Sequence, residues 1–520
     1  MNMLKRLLLN SLKLTTHIPH RIAPGQPIPL LVVINNTRPA PIILESIAVQ
    51  CIQNGKTVYT ALPLPEPAEI RSHHWSNLFA ITTIPESITG DLSLHILYKI
   101  TSNKKTNTIS HSKTIFRAVD PFPRLDHFYY GDMQFYAYSL YPVITNTAIV
   151  NFTAVIAKAM GLHFAAAVEP GASGKYEMPE RGSGTWNLFL TAVEHVNRTN
   201  DIVVLTGEKI NCSAGSNKNI QLLIINNTRS FTDNIPLGIH PFATGQKHII
   251  KYTKFIDVIQ QASPTSLLII PLSELCKNSS IEQILSHNRL PLKDTTQANP
   301  ICLLINRITE KDFQHWQNRW VELLAKGYRI YIYAGGDIPP DVESERHPLL
   351  SLILRGSSSH KYSSPLQTSL YCASPVAKET IIASLKSGAS VITDGPLLAL
   401  TVQNENGEHC ILGGESTGKI FIVSYNAVST PEFGFIKELR LYTGDTSEKK
   451  EELIFTARYA DNTYTIQGDI TLLPSSEQSY IRGEVISKNS NIHHPKTCIT
   501  NPIWLRLPKK NQSIEIRLDL

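Results

Sequence analysis

Apolar and polar positions change their period twice along the chain, and the two changes divide it into three. From residue 10 to about 118, short apolar runs are separated by turn residues. Residues 29–34 (Pro-Leu-Leu-Val-Val-Ile) stop at Asn35 and Asn36, residues 42–49 partly alternate, and residues 92–98 (Leu-Ser-Leu-His-Ile-Leu-Tyr) lead into a polar turn at 101–106. No helical period appears, so the pattern predicts an immunoglobulin-like β-sandwich over 1–118. A linker over 119–127 follows, carrying Asp120, Pro121, Phe122, Pro123 and Arg124.

From residue 128 strands alternate with helices. Residues 128–139 form the first strand. Thr147 then opens a helix whose apolar face is Ile149, Val150, Phe152, Val155, Ile156, Ala159 and Met160, with Gly161 where a C-cap glycine belongs. A strand over 164–168 comes next, then a helix marked by Trp186, Leu188, Phe189, Ala192, Val193 and Val196, then a strand over 202–206. Further strands are expected over 220–225, 266–270, 301–305 and 329–334, and helices over 311–326 and 377–386, stopped by Gly327 and Gly388. Short apolar strands alternating with helices imply a parallel sheet. About seven such units fit a distorted (β/α)7 barrel over 128–398; an open doubly wound sheet is the alternative that the pattern leaves standing. After about residue 398 the helices stop, and strands over 419–425, 438–442, 452–458 and 480–485 predict a second β-sandwich over 399–520.

Composition narrows the picture little. The 520 residues are 42% hydrophobic and carry a net charge of +6, with the basic residues scattered, so nucleic acid is not implied. Seven cysteines without a Cys-x-x-Cys pair argue against a disulfide framework and fit a reducing, cytoplasmic setting. Lys5 and Arg6 precede three leucines, but Asn10, Ser11 and Lys13 break that run, so a signal peptide is not expected. No run of 18 apolar residues predicts a membrane span.

The chemistry enters with Gly131-Asp132-Met133-Gln134-Phe135-Tyr136. This stretch resembles the Gly-Asp-Leu-His-x-His opening of the PHP-type (polymerase and histidinol phosphatase) metal-dependent phosphoesterases, CehA/McbA-like branch. The likeness spans roughly 128–396 and keeps its order. It includes Leu323-Leu324-Ala325-Lys326-Gly327 and the run from Ser387 to Pro396, and a similar C-terminal ending at 480–484 and 500–504.

The resemblance implies two or three metal ions that make a hydroxide nucleophile and hold phosphate oxygens. Most ligand positions are substituted. Gln134 and Tyr136 stand for the two histidines. Gly161-Leu162-His163-Phe164 and then Glu169-Pro170 stand for Gly-Leu-Asp-Phe and Asp-His. Gly207-Glu208-Lys209 stands for Gly-Glu-Glu, and the lysine places an ammonium where divalent cations would sit, which Coulomb repulsion opposes. Gln221 replaces a downstream histidine, Ile270-Pro271 replaces a strand-end His-Pro, and Gly335-Gly336-Asp337-Ile338-Pro339 replaces Gly-Gly-Asp-x-His.

Glu169 and Asp337 are the remnant candidates for a metal. His240-Pro241 and His347-Pro348 read as surface turn pairs rather than displaced ligands. Gly413 to Lys419 mimics a phosphate loop, but Ile420 stands where the Ser/Thr should be and a strand follows in place of a helix. Trp316 and Trp320, at helical spacing, read as core. The leading expectation is a catalytically degenerate protein, a binding or assembly component without a cofactor, with an anionic small ligand held near Lys209, Gln134 and Tyr136 at the barrel mouth. The rival is an active hydrolase with zinc, manganese or iron on Asp132, Glu169, Glu208, His163 and Asp337. A purely structural interaction protein is the third.

Overall fold

A computed structural model describes residues 12–61, 66–102, 105–136, 146–169, 185–213, 219–231, 253–272, 301–305, 310–335, 366–460, 462–488 and 495–508. Among the described residues the N-terminal part contains nine strands: β1 (Leu12–His17), β2 (Arg21–Ile22), β3 (Ile28–Asn36), β4 (Ile42–Gln53), β5 (Lys56–Ala61), β6 (Ala68–Ile70), β7 (His74–Thr82), β8 (Gly90–Ser102) and β9 (Lys105–Arg117). They form two sheets, β1-β3-β7 and β2-β9-β8-β4-β5, with β6 on β4. On β8 the alternate residues Leu92, Leu94, Ile96, Tyr98 and Ile100 are buried. Alternate side chains of a strand share a face, and here that face meets Leu30, Val32 and Ile34 of β3 in one core. This two-sheet arrangement is compatible with the immunoglobulin-like sandwich expected there.

The central part carries β10 (Phe128–Tyr136), α1 (Asn146–Met160), β11 (Phe164–Glu169), α2 (Thr185–Thr199), β12 (Val203–Ser213), β13 (Asn219–Ile225), β14 (Thr253–Lys254), α3 (Phe255–Gln261), β15 (Leu267–Pro271), β16 (Ile301–Ile305), α4 (Glu310–Ala325), β17 (Ile332–Ala334), β18 (Gln367–Tyr371), α5 (Lys378–Ser387) and β19 (Ser390–Thr393). The regular elements among the described residues of the C-terminal part are strands: β20 (Leu397–Asn404), β21 (His409–Ile411), β22 (Glu415–Thr417), β23 (Phe421–Val428), β24 (Phe435–Asp445), β25 (Lys450–Arg458), β26 (Thr465–Leu472), β27 (Gln478–Lys488), β28 (Lys496–Thr500) and β29 (Ile503–Arg506).

The (β/α)7 barrel expected over 128–398 is not what forms. Strands predominate, and the described residues contain five helices. The central sheet is mixed. β10-β11-β12 and β15-β16-β17 are parallel ladders, but β13 is antiparallel to both β12 and β15, and β18 is antiparallel to β10 and β19. The reason is local: β12 runs on to Ser213 and β13 begins at Asn219, too few residues for the crossover of a dozen or more that a parallel neighbour needs.

The sheet does not stop at residue 398. β19 pairs with β28, and β28 with β27, so one sixteen-stranded sheet runs from β17 to β25. It also curls back on itself. Met133, Phe164, Leu205, Leu223, Ile269, Leu304, Tyr333 and Leu370, from eight strands, share one apolar cluster with Ile381 and Leu385 of α5. Among the described residues, side chains rather than a backbone ladder join the edge strand β17 to the middle of the sheet. Thr368 Oγ1 donates to the Ala334 carbonyl at 3.0 Å and accepts its N–H at 2.8 Å. Asn501 Oδ1 accepts the Ile332 N–H at 2.9 Å, and its Nδ2 donates to the Ile332 carbonyl at 3.2 Å. The sheet β21-β20-β23-β26 covers the C-terminal half, packing Leu398, Leu400, Val402 and Val423 onto Ile436, Leu439, Ile481 and Val485.

Two buried ionic knots tie the parts together. At the first, Arg21 of β2 donates to both oxygens of Glu432, at 2.8 Å each, to the Met160 carbonyl at 3.0 Å and to the Asp120 carbonyl at 3.1 Å. Its guanidinium lies 4.0 Å from the centre of the Phe122 ring, which stacks on Tyr130. At the second, Arg482 of β27 bonds both oxygens of Glu451, at 2.8 and 2.6 Å, and one of Glu484 at 2.5 Å. Gln317 of α4 donates to the same Glu484, and Trp320 of α4 lies 5.6 Å from the guanidinium.

Beside the first knot, His20 has an Nε2 shut away from solvent with no hydrogen-bond partner. Burial, and then the charge of Arg21, lower its pKa from 6.5 to about 4. Between those values the unfolded chain binds a proton that the folded chain refuses, so stability is lost as pH falls through that window, by at most about 3 kcal/mol. Denaturant midpoints at pH 7 and pH 4.5 are expected to differ less for His20→Gln than for the unaltered chain; equal differences would remove His20 from the account.

Trp316 and Trp320 are buried in the core, and none of the six described cysteines forms a disulfide. No helix among the described residues is long and apolar enough to cross a membrane.

Candidate functional site

Several of the positions singled out in the sequence lie at one end of the central sheet. β10, β11 and β12 run parallel, and their register aligns Tyr136 with Val168 and Gly207, and, one row on, Glu169 with Glu208. The register shifts between Asp132 and Phe135, next to Gln134. Lys209, Leu223 and Ile269 form the following row across β12, β13 and β15, with Ile270 next to it. The end of β17 reaches the same place: a Cβ on Gly335 would stand 2.7 Å from the Gln134 nitrogen and 3.1 Å from an Asp132 carboxylate oxygen. Only glycine lets those two backbones approach so closely.

The remaining positions fall elsewhere. Gln221 sits at the start of β13 opposite Asn211, three residues further along β12 than Glu208. Pro170, Asp337 and Pro339 lie outside the described residues, as do His240 and His347, and of Tyr136 and Glu169 only the backbone is described. His163 precedes β11 while Glu169 ends it, so roughly 20 Å of strand separates them. His163 therefore belongs to the opposite end of the sheet. Its Nδ1 accepts the Tyr130 N–H at 3.2 Å.

The carboxylates that do gather are engaged. Glu208 is fully buried, and its two oxygens accept the Ser230 hydroxyl at 2.6 Å and the Phe231 N–H at 2.9 Å. Asp132, also fully buried, accepts the Gln134 N–H at 2.8 Å at the irregularity within β10. The residue after Glu208 in β12 is the cationic Lys209, on the other face of that strand. A divalent ion on Glu208 would have to displace the protein donors that hold both of its oxygens. The described residues do not fit the metal cluster that the resemblance implies. Among the described residues, no group of three or more His, Cys, Asp or Glu side chains is placed to hold a metal ion.

The partners of Glu208 were not legible in the sequence. Ser230 and Phe231 follow β13 with no motif around them, and only the hairpin turning β13 back along β12 brings them to the carboxylate. The phosphate-loop mimic resolves simply: Glu415–Thr417 and Phe421–Val428 are both strands.

Two recesses open away from this end. One of about 590 Å³ is lined by residues 121–122 and 124–130, by the turn from α1 to β11, and by Ala23, Pro24 and Gln26. One of about 350 Å³ lies on the other side of the same segment, against β20.

No family model matches the chain, and no curated protein does. Solved structures match weakly. Spo0M, a sporulation control protein from Bacillus subtilis, is 12% identical at a TM-score of 0.18 over 24% of this chain, which spans 60% of that protein. A cycloisomaltooligosaccharide glucanotransferase from Paenibacillus sp. is 10% identical over 94% of this chain and 71% of its own, with a TM-score of 0.21. A β-glucuronidase from Parabacteroides merdae is 8% identical over 96% of this chain and 64% of its own, with a TM-score of 0.20. Likenesses this slight carry no argument about fold or function.

Proposed function

We propose that the chain is a non-hydrolytic binding or assembly component, without metal-dependent catalysis at the gathered strand ends. The observation that carries this is Glu208: both oxygens of the surviving carboxylate are held by protein donors. A buried carboxylate satisfied in this way gains little by exchanging two hydrogen bonds for a metal ion. The apolar cluster inside the curled sheet supports an assembly role further, because side chains from eight strands already fill that space.

Elemental mass spectrometry of protein purified without chelator tests the proposal. After incubation with excess zinc, manganese or iron and removal of unbound ion, metal is expected well below one equivalent. Phosphomonoester and phosphodiester hydrolysis should stay at background. One equivalent of retained metal, or hydrolysis that depends on Glu208, would overturn the proposal.

A further inference from the structure

The larger recess has its own chemistry, at the opposite ends of β10 and β11 from Glu208. Its volume of about 590 Å³ falls within the range typical of small-molecule sites. Arg124 lines it, is exposed, and has no ion-pair partner among the described residues. Lys158 lines it too, but its ammonium is held 2.9 Å from Asp201. Arg124 is thus the cation with charge to spare.

His163 supplies a second donor. Its Nδ1 accepts the Tyr130 N–H, so the neutral ring carries its proton on Nε2. Burial, and then the nearby Arg124 charge, keep the ring below its ordinary pKa, so it stays a neutral donor at pH 7.

The C-terminus of α1 points here, and free helix carbonyls would repel an anion. They are engaged. Leu162, Gly161 and Ala23 donate N–H groups to the carbonyls of Ala157, Lys158 and Ala159, and Arg21 donates to that of Met160. Asp126 is the one carboxylate among the lining residues.

We propose that this cleft binds a small oxyanion, a phosphate or a carboxylate, with the planar guanidinium of Arg124 as anchor and His163 as second donor. A guanidinium fork matches either group in a bidentate way. The site would be independent of whatever the strand ends near Lys209 hold.

Calorimetric titration of the full chain with inorganic phosphate, and separately with citrate, tests this and separates the two sources. Saturable binding of at least one anion is expected. Arg124→Ala should weaken it at least tenfold, Arg124→Lys should restore part of it, and Lys209→Ala should leave it unchanged. Because Arg124 is exposed, the thermal midpoint of Arg124→Ala should match that of the unaltered chain, which separates lost binding from lost folding. The proposal is overturned by no saturable binding of either anion up to about 10 mM. It is equally overturned by binding that Arg124→Ala leaves intact, or by binding lost in Lys209→Ala instead.

Discussion

Replacing Arg482 with alanine is expected to cost about 3–5 kcal/mol of stability, the range for breaking a buried ion pair on one side. Arg482, Glu451 and Glu484 are each less than a tenth exposed. Removing the guanidinium leaves two carboxylates facing each other in a low-dielectric interior, with Tyr480, Tyr442 and Gln317 as their remaining donors. Arg482→Lys should fall between, since an ammonium keeps the charge but cannot bridge both carboxylates with a planar fork. Replacing Arg482, Glu451 and Glu484 together by apolar residues of similar volume should recover most of the loss, because the desolvation cost leaves with the charges. Urea midpoints of the four proteins check the series. A loss below about 1 kcal/mol for Arg482→Ala would mean that water reaches the knot.

Arg21→Ala is the second large effect, again about 3–5 kcal/mol, and it should be felt in three places. Glu432 loses its bidentate partner, and the carbonyls of Met160 and Asp120 each lose a donor. Asp120 begins the segment that joins the N-terminal sheets to β10, so that segment should become more open to protease as well as less stable. A cycle with Glu432→Ala isolates the pair: a coupling of about 0.5–3 kcal/mol is expected for residues in direct contact. Unchanged cleavage within 119–127 in Arg21→Ala would show that other contacts hold the segment.

The elements that the sequence made legible are those with one buried face. β8 alternates because one side faces the sandwich core, and the helix expected over 311–326 appears as Glu310–Ala325 because its apolar stripe packs inward. Strand direction was not legible. Residues of β13, β15 and β16 are buried on both faces, so each reads as a continuous apolar run whichever way its neighbour points. The barrel expectation failed at that step.

The backbone alignment of Glu169 with Glu208 follows from consecutive parallel strands. The separation of His163 from Glu169 was also readable, since the two flank one strand. The pairings of Arg21 with Glu432 and of Asn501 with Ile332 span 411 and 169 residues, and no local period encodes a contact at that distance.

The Asn501 bridge has a consequence for how the protein is made. Ile332 leaves the ribosome 169 residues ahead of the side chain that satisfies its backbone, a lag of roughly 10–30 s at ordinary translation rates. Through that interval β17 presents an open edge, and β19 lacks its partner β28. The nascent chain therefore passes through a period in which its most apolar strands are finished and uncovered, and chaperone engagement should peak there, ending when Lys496–Thr500 arrives to dock.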